Sequence, residues 1–194
     1  MTNIEHIKQL REETWVSPNE IKKSLEESSG DVKKAKELLR VWGKSLAGKK
    51  TGREARQGII ETYIHPNLNT GVLLDIRCES DFVAKSLDFK KLAHEICLQI
   101  AAMKPLFIKD TDIPAEIIDG EAKIYKEQLR DLGKPENIVK QVLEGKIKKY
   151  KESISLLSQS WVRDDSKKVN NLIEETVSKV GENIEVKRFT RYEI

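Results

Sequence analysis

The sequence predicts an α+β fold: a small N-terminal bundle of three helices, followed by an antiparallel sheet packed with helices and carrying a protruding antiparallel helical hairpin. Three observations predict it. Short helical apolar periods, each with its own start signal, fill residues 1–43; two strand-like runs separated by turn formers occupy residues 59–78; and two long helical stripes meet at Gly133-Lys134-Pro135 within residues 114–154.

The first helix opens on Thr2-x-x-Glu5, a capping box, with Ile4, Ile7 and Leu10 on one face. Ser17-Pro18-Asn19-Glu20 opens the second with Pro at its first helical position, Ile21 and Leu25 lie one turn apart, and Gly30 ends it. Asp31 begins a third helix, in which Val32, Ala35, Leu38, Leu39 and Trp42 keep a helical period. Residues 44–58 carry Lys44, Lys49, Lys50, Arg53 and Arg56 with several glycines, the composition of a basic and partly helical linker. The domain expectation is therefore 1–43, a linker over 44–58, and a core over 59–194.

Residues 59–65 and 71–78 read as strands of one hairpin, joined by Pro66-Asn67-Leu68-Asn69-Thr70. Leu92, Ala93, Ile96, Ile100 and Met103 mark a core-facing helix. Ile118, Ala122, Tyr125, Leu129 and Leu132 trace one arm of the helical hairpin, and Val139, Leu143, Ile147, Tyr150 and Ile154 the other. Val169, Leu172, Ile173, Thr176, Val177 and Val180 form a last helix before Gly181. Residues 183–194 read as a terminal strand, with Phe189 out of phase with Ile184 and Val186, as a bulge would place it.

Composition bounds the function. Hydrophobic residues make up 38% and charged residues 35%, polar for a globular chain yet short of a disordered one. The 35 basic and 32 acidic residues leave a formal charge of +3, a nearly balanced surface that gives little support to direct nucleic-acid binding. Cys78 and Cys97, without a C-x-x-C pattern, read as reduced core thiols. The start Met1-Thr2-Asn3-Ile4-Glu5 lacks the regions of a signal peptide, and no apolar run spans a bilayer. The expectation is a cytoplasmic protein with no membrane partner.

Between the second strand and the next helix lies Glu79-Ser80-Asp81-Phe82-Val83-Ala84-Lys85. An acid and an aromatic side by side at a strand-to-helix turn can be presented outward on rigid supports. The alternative is that Phe82 is a helix-start staple packing on its own domain, the commoner fate of a Phe.

This segment resembles the strand-loop-helix signature T-D-F-V-A of the elongation factor Ts family, here Ser80-Asp81-Phe82-Val83-Ala84. Further family-like pieces follow in the right order: Arg53-Glu54-Ala55-Arg56-Gln57-Gly58, Ala101-Ala102-Met103-Lys104-Pro105, Gly133-Lys134-Pro135, and Val180-Gly181-Glu182-Asn183-Ile184 with Arg188-Phe189. The resemblance implies an N-terminal domain of ubiquitin-associated type and a short form with one strand-and-helix core module. It also implies a non-enzymatic guanine nucleotide exchange factor that binds elongation factor Tu, both GDP-bound and nucleotide-free, and promotes GDP release. By position, Phe82 would enter an apolar pocket of that partner and Asp81 would disturb its magnesium and phosphate site, supported by Ser80 and Val83.

The chain departs from the family in places. Where the family reads T-G-A-G-M-M-D, this sequence has Thr14-Trp15-Val16-Ser17-Pro18-Asn19-Glu20, a loop rebuilt around Trp and Pro. Glu20, Lys22 and Lys23 remain candidate contacts there, and Gln99 stands where the family often carries a contacting His.

Other motifs weigh less. Gly43-Lys44-Ser45-Leu46-Ala47-Gly48-Lys49-Lys50 nearly matches the phosphate loop G-x-x-x-x-G-K-[ST], but a helix precedes it and Lys50 takes the place of the magnesium-holding hydroxyl. His6, His65 and His94 are scattered, and His94 with Cys97 is too small a set for zinc. No cofactor, metal or catalytic set is expected. The rival reading from another class is an adaptor that holds proteins through the ubiquitin-associated-like domain, and exposed edge strands leave a homodimer open.

Overall fold

The structure is a computed structural model that describes residues 4–14, 16, 18–50, 52–130 and 136–194. It is a mixed helix-and-sheet architecture of α+β class. The start signals expected at Thr2 and Ser17, the loop residue Trp15, the stripe residue Leu132 and the turn Gly133-Lys134-Pro135 lie outside the described residues.

The chain opens with α1 (Ile4–Thr14), α2 (Pro18–Glu27) and α3 (Val32–Lys50). Their shared core is Leu10, Ile21, Leu25, Ala35 and Leu39, with Ile7, Val16, Val32 and Trp42 packed against it. Ile4, on the expected face with Ile7 and Leu10, is exposed at the first position of α1. At the end of α2, Ser29 and Gly30 take positive φ values of 53° and 84°, and the Gly30 amide donates back to the Leu25 carbonyl at 2.8 Å. Asp31 caps α3 by accepting from the amides of Lys33 and Lys34 at 2.9 and 3.1 Å. The helix does not stop at residue 43: the first part of the segment read as a linker continues α3 to Lys50, and residues 54–56 form no regular element.

β1 (Gln57–Ile64) and β2 (Thr70–Cys78) form the expected hairpin, closed by His65 N donating to the Thr70 carbonyl at 2.9 Å. Gly58 lies so close to β2 that a Cβ there would stand 2.2 Å from the Ile76 carbonyl oxygen, so only glycine fits. α4 (Asp81–Lys85) and α5 (Leu87–Met103) follow, then a helical hairpin of α6 (Ala115–Arg130) and α7 (Glu136–Ile154). A two-stranded ribbon of β3 (Ser160–Trp161) and β4 (Asp164–Lys168) leads into α8 (Val169–Val180) and β5 (Ile184–Glu193).

The main sheet has the order β1-β2-β5. β2 and β5 run antiparallel: Ile194 N bonds to Asn69 O beyond one end, and Asn183 N bonds to the Glu79 carboxylate beyond the other. Burial in β5 falls on Ile184 and Val186 and then on Phe189 and Arg191, the change of phase that the apolar pattern suggests.

Internal contacts divide the chain into two units. The first holds Met1–Glu61, Leu74–Ala93 and Asn171–Lys187; its buried residues outside the three-helix core include Leu74, Ile76, Cys78, Phe89, Val177 and Val186. The second holds Thr62–Leu73, His94–Asn170 and Arg188–Ile194; it buries Ile96, Cys97, Ile100, Ile154, Leu156 and Val169. In the second unit, residues 106–108 bond to residues 154–157 through four backbone hydrogen bonds of 2.8 to 3.0 Å. Lys146 lies over the Tyr125 ring at 4.8 Å and joins α7 to α6. Met103, expected on the inner stripe of α5, is 45% exposed because it is the last helical residue. Among the described residues, no helix is long and apolar enough to cross a membrane.

Candidate partner interface

β2 ends at Cys78, and two residues later the chain turns into α4. Ser80 is the N-cap, in an extended conformation (φ −121°, ψ 159°), and its hydroxyl accepts from Val83 N at 3.3 Å. Glu182 grips the same residue, accepting from Ser80 N at 2.9 Å and from Ser80 Oγ at 2.5 Å. In the other direction, Glu79 accepts from Asn183 N at 2.7 Å. Asn183 Nδ2 donates to Arg53 O at 2.7 Å, the Arg53 guanidinium lies 3.8 Å from Glu79, and Lys50 Nζ donates to Gly181 O at 2.5 Å.

Ser86 ends this short helix and starts the next. Its amide and hydroxyl both donate to Val83 O, at 3.0 and 2.7 Å, and its hydroxyl accepts from Phe89 N at 3.3 Å. The alternation that follows is sharp: Ala84 and Phe89 are buried, while Phe82 is 83% exposed and Leu87 85% exposed. Val83 is half-buried. Phe82 is thus no staple on its own domain, since a ring closing a helix start against the core would lose most of its exposure.

Beside the ring, Asp81 is paired with Lys85 at 2.7 Å, one turn along the same helix. The Lys85 hydrogen bond holds the Asp81 carboxyl below its usual range, so it is anionic at neutral pH. Beneath, the Cys78 thiol donates to Ser80 O at 3.2 Å, and burial pushes its pKa up to about 11. Cys78 and Cys97 are both buried, and neither forms a disulfide among the described residues. The arrangement places an apolar ring and a carboxylate together in solvent on a backbone fixed from below.

The other expected contacts divide. Lys22 and Lys23 are exposed on α2, Lys23 over the Trp42 ring at 5.4 Å, and Glu20 is half-buried beside them in sequence. Gln99 is instead fully buried, which corrects the expectation of a surface contact. Its amide nitrogen donates to Gln159 Oε1 and Ser160 O, both at 3.0 Å, and its oxygen accepts from Val162 N at 2.8 Å. Every polar atom of that side chain is engaged internally. The near-match to a phosphate loop, residues 43–50, is helical throughout and lacks the loop that would wrap a phosphate. His94 is exposed with its ring edge-on to Tyr63 at 5.9 Å, whereas Cys97 is buried, so the pair does not share a surface.

Neither the exposure of Leu87 nor the bond of Glu182 to Ser80 is evident in the sequence. Leu87 had a signal, an apolar residue directly after a capping Ser and off the stripe of α5. Glu182 lies in one of the family-like pieces, Val180 to Ile184, but nothing local links it to residue 80.

A family model described as "Elongation factor TS" matches residues 17–194. An elongation factor Ts from Thermotoga petrophila is 50% identical over 188 residues, covering 97% of this chain and 94% of that one. One from Rubrobacter xylanophilus is 45% identical over 193 residues, covering 100% and 99%. One from Coprothermobacter proteolyticus is 47% identical over 186 residues, covering 96% and 94%. With a match that runs through the tip, the hairpin and the closing strand alike, the chain belongs to the elongation factor Ts family of translation elongation factors.

Proposed function

We propose that this chain is a guanine nucleotide exchange factor for elongation factor Tu, acting in the cytoplasm by binding alone and making no covalent change. The observation that carries the reading is Phe82, 83% exposed beside the ion-paired Asp81 on a hydrogen-bonded turn. A ring of that size contributes on the order of 2 to 3 kcal/mol when a partner's pocket covers it. The adjacent carboxylate alters the field around a bound cation, and so loosens a magnesium that bridges protein and phosphate. Ser80 and Val83 hold the pair in place, and Glu20, Lys22 and Lys23 add polar contacts from α2 of the three-helix bundle.

Binding that drives GDP off must itself be opposed by GDP. Coupling between two ligands is reciprocal, so a coupling of roughly 4 kcal/mol lowers each affinity about a thousandfold. The test is the rate of GDP release from elongation factor Tu with and without this protein, together with its affinity for the GDP-loaded and nucleotide-free partner. The expected result is accelerated release and much tighter binding to the nucleotide-free form. Equal affinities would sink the reading, because a ligand that does not discriminate between two states cannot shift them.

A further inference from the structure

A helix of five residues does not hold its own direction: nucleation costs more than so few hydrogen bonds return. α4 is that short, yet it carries the exposed Phe82 and Asp81. Its direction must come from outside, and the contacts of its cap show from where. Ser80 Oγ both accepts from Val83 N and donates to Glu182 Oε1, while Ser80 N donates to Glu182 Oε2. One carboxylate therefore fixes both the backbone and the side chain of the residue that starts the helix. Glu79 returns the favour by accepting from Asn183 N, so two neighbouring residues on each side exchange a carboxylate for a backbone amide. Charge-assisted bonds of this kind are about twice as strong as neutral ones and directional.

We infer that Glu182 is a positioning residue for nucleotide exchange: through Ser80 it sets the start of α4 and hence the place of Phe82 and Asp81 against the partner. The inference rests on the exchange-factor reading and adds to it a residue on the far side of the turn. A surface that is already in its bound geometry avoids the ordering cost of binding, and that saving is what Glu182 supplies. If Glu182 only closed the turn after α8, its loss would lower stability and leave each folded molecule as active as before.

The test uses the full chain and GDP release from elongation factor Tu, measured against factor concentration, with thermal melting to fix the folded fraction. Glu182→Ala should reduce release per folded molecule about tenfold, the scale of a lost hydrogen bond to a charged group. Glu182→Gln should stay within about threefold of the wild type, since its amide keeps one acceptor and the Ser80 hydroxyl can turn to accept from its NH2. In a Phe82→Ala background, Glu182→Ala should add less than about threefold, because residues acting through one contact are not additive. Should Glu182→Ala fail to fold, Ser80→Ala removes the hydroxyl half of the same link and should show the same masking by Phe82→Ala. Wild-type release with an unchanged Glu182→Ala rate, or the full loss repeated in the Phe82→Ala background, overturns the inference alone. A wild-type protein that does not accelerate release overturns the exchange-factor reading and the inference with it.

Discussion

At the turn over residues 79–83, side-chain carboxylates and hydroxyls hold the backbone so that a phenyl ring stays in water, 83% exposed. At Gln99 the same kind of bonding serves a buried amide: Gln99 and Gln159 together take up Ser160 O, Val162 N, Met103 O and Ser153 O. The carbonyls of Met103 and Ser153 lie at the ends of α5 and α7, where no intrahelical partner remains. One network spends its bonds on satisfying buried groups, the other on presenting an apolar one. The difference teaches that a polar side chain in this fold is not a sign of function, nor an apolar one a sign of core; what decides is whether the atoms around it are already paired.

The largest expected effect comes from breaking the buried network. Gln99→Leu leaves Val162 N and Gln159 Oε1 without their partner and should cost about 3 kcal/mol of stability, seen in denaturant midpoints. The folded remainder should release GDP at the wild-type rate. Lost exchange at unchanged stability would return Gln99 to the role of a partner contact.

Phe82→Ala probes the opposite side of the comparison. An exposed residue away from caps and cores changes stability by no more than about 0.5 kcal/mol, so the melting curve should not move. Exchange should fall about thirtyfold, the loss that goes with roughly 2 kcal/mol at an interface anchor. A protein that melts while its folded fraction exchanges normally would make the ring part of the core.

The smallest effect concerns Cys78, whose thiol bonds to Ser80 O under the exposed turn. Burial raises its thiol from 9.0 to about 11, so the folded state disfavours the thiolate. Its contribution to stability is complete below pH 9 and declines as the pH rises towards 11, because the unfolded chain then holds fewer protons than the folded one. Denaturant midpoints across that range should fall more steeply for the wild type than for Cys78→Ser. Equal slopes would show that the thiol is not shielded.

Much of this architecture is legible in the sequence because it is local. The stripe Val169, Ile173, Val177 gives α8 its bounds, and Asp31 marks the start of α3 through its own side chain. The strand-to-helix turn is likewise readable, since Ser80 caps the helix that begins with the next residue. What escapes is set by contacts distant along the chain. Gln99 falls on the stripe of Ile96 and Ile100, yet polarity argues for the surface until Gln159 and Val162 are brought beside it. The β3–β4 ribbon is hidden for another reason: Asp164-Asp165-Ser166-Lys167-Lys168 has no apolar alternation, and its pairing follows from the turn and from Val169 N bonding to Gln159 O. The exposure of Phe82 is equally silent, because a ring reads the same whether it faces a core or a partner.

The grip of Glu182 on Ser80 also sets a schedule. The two residues are 102 positions apart, and a ribosome adding about 5–20 residues per second needs roughly 5–20 s to go from one to the other. During that interval the nascent chain already carries Asp81 and Phe82 but lacks the carboxylate that fixes them. The tip is therefore completed late in synthesis, together with the strand that closes the sheet. A chain cut short before Glu182 would keep every residue of the signature and lose the support that aims it.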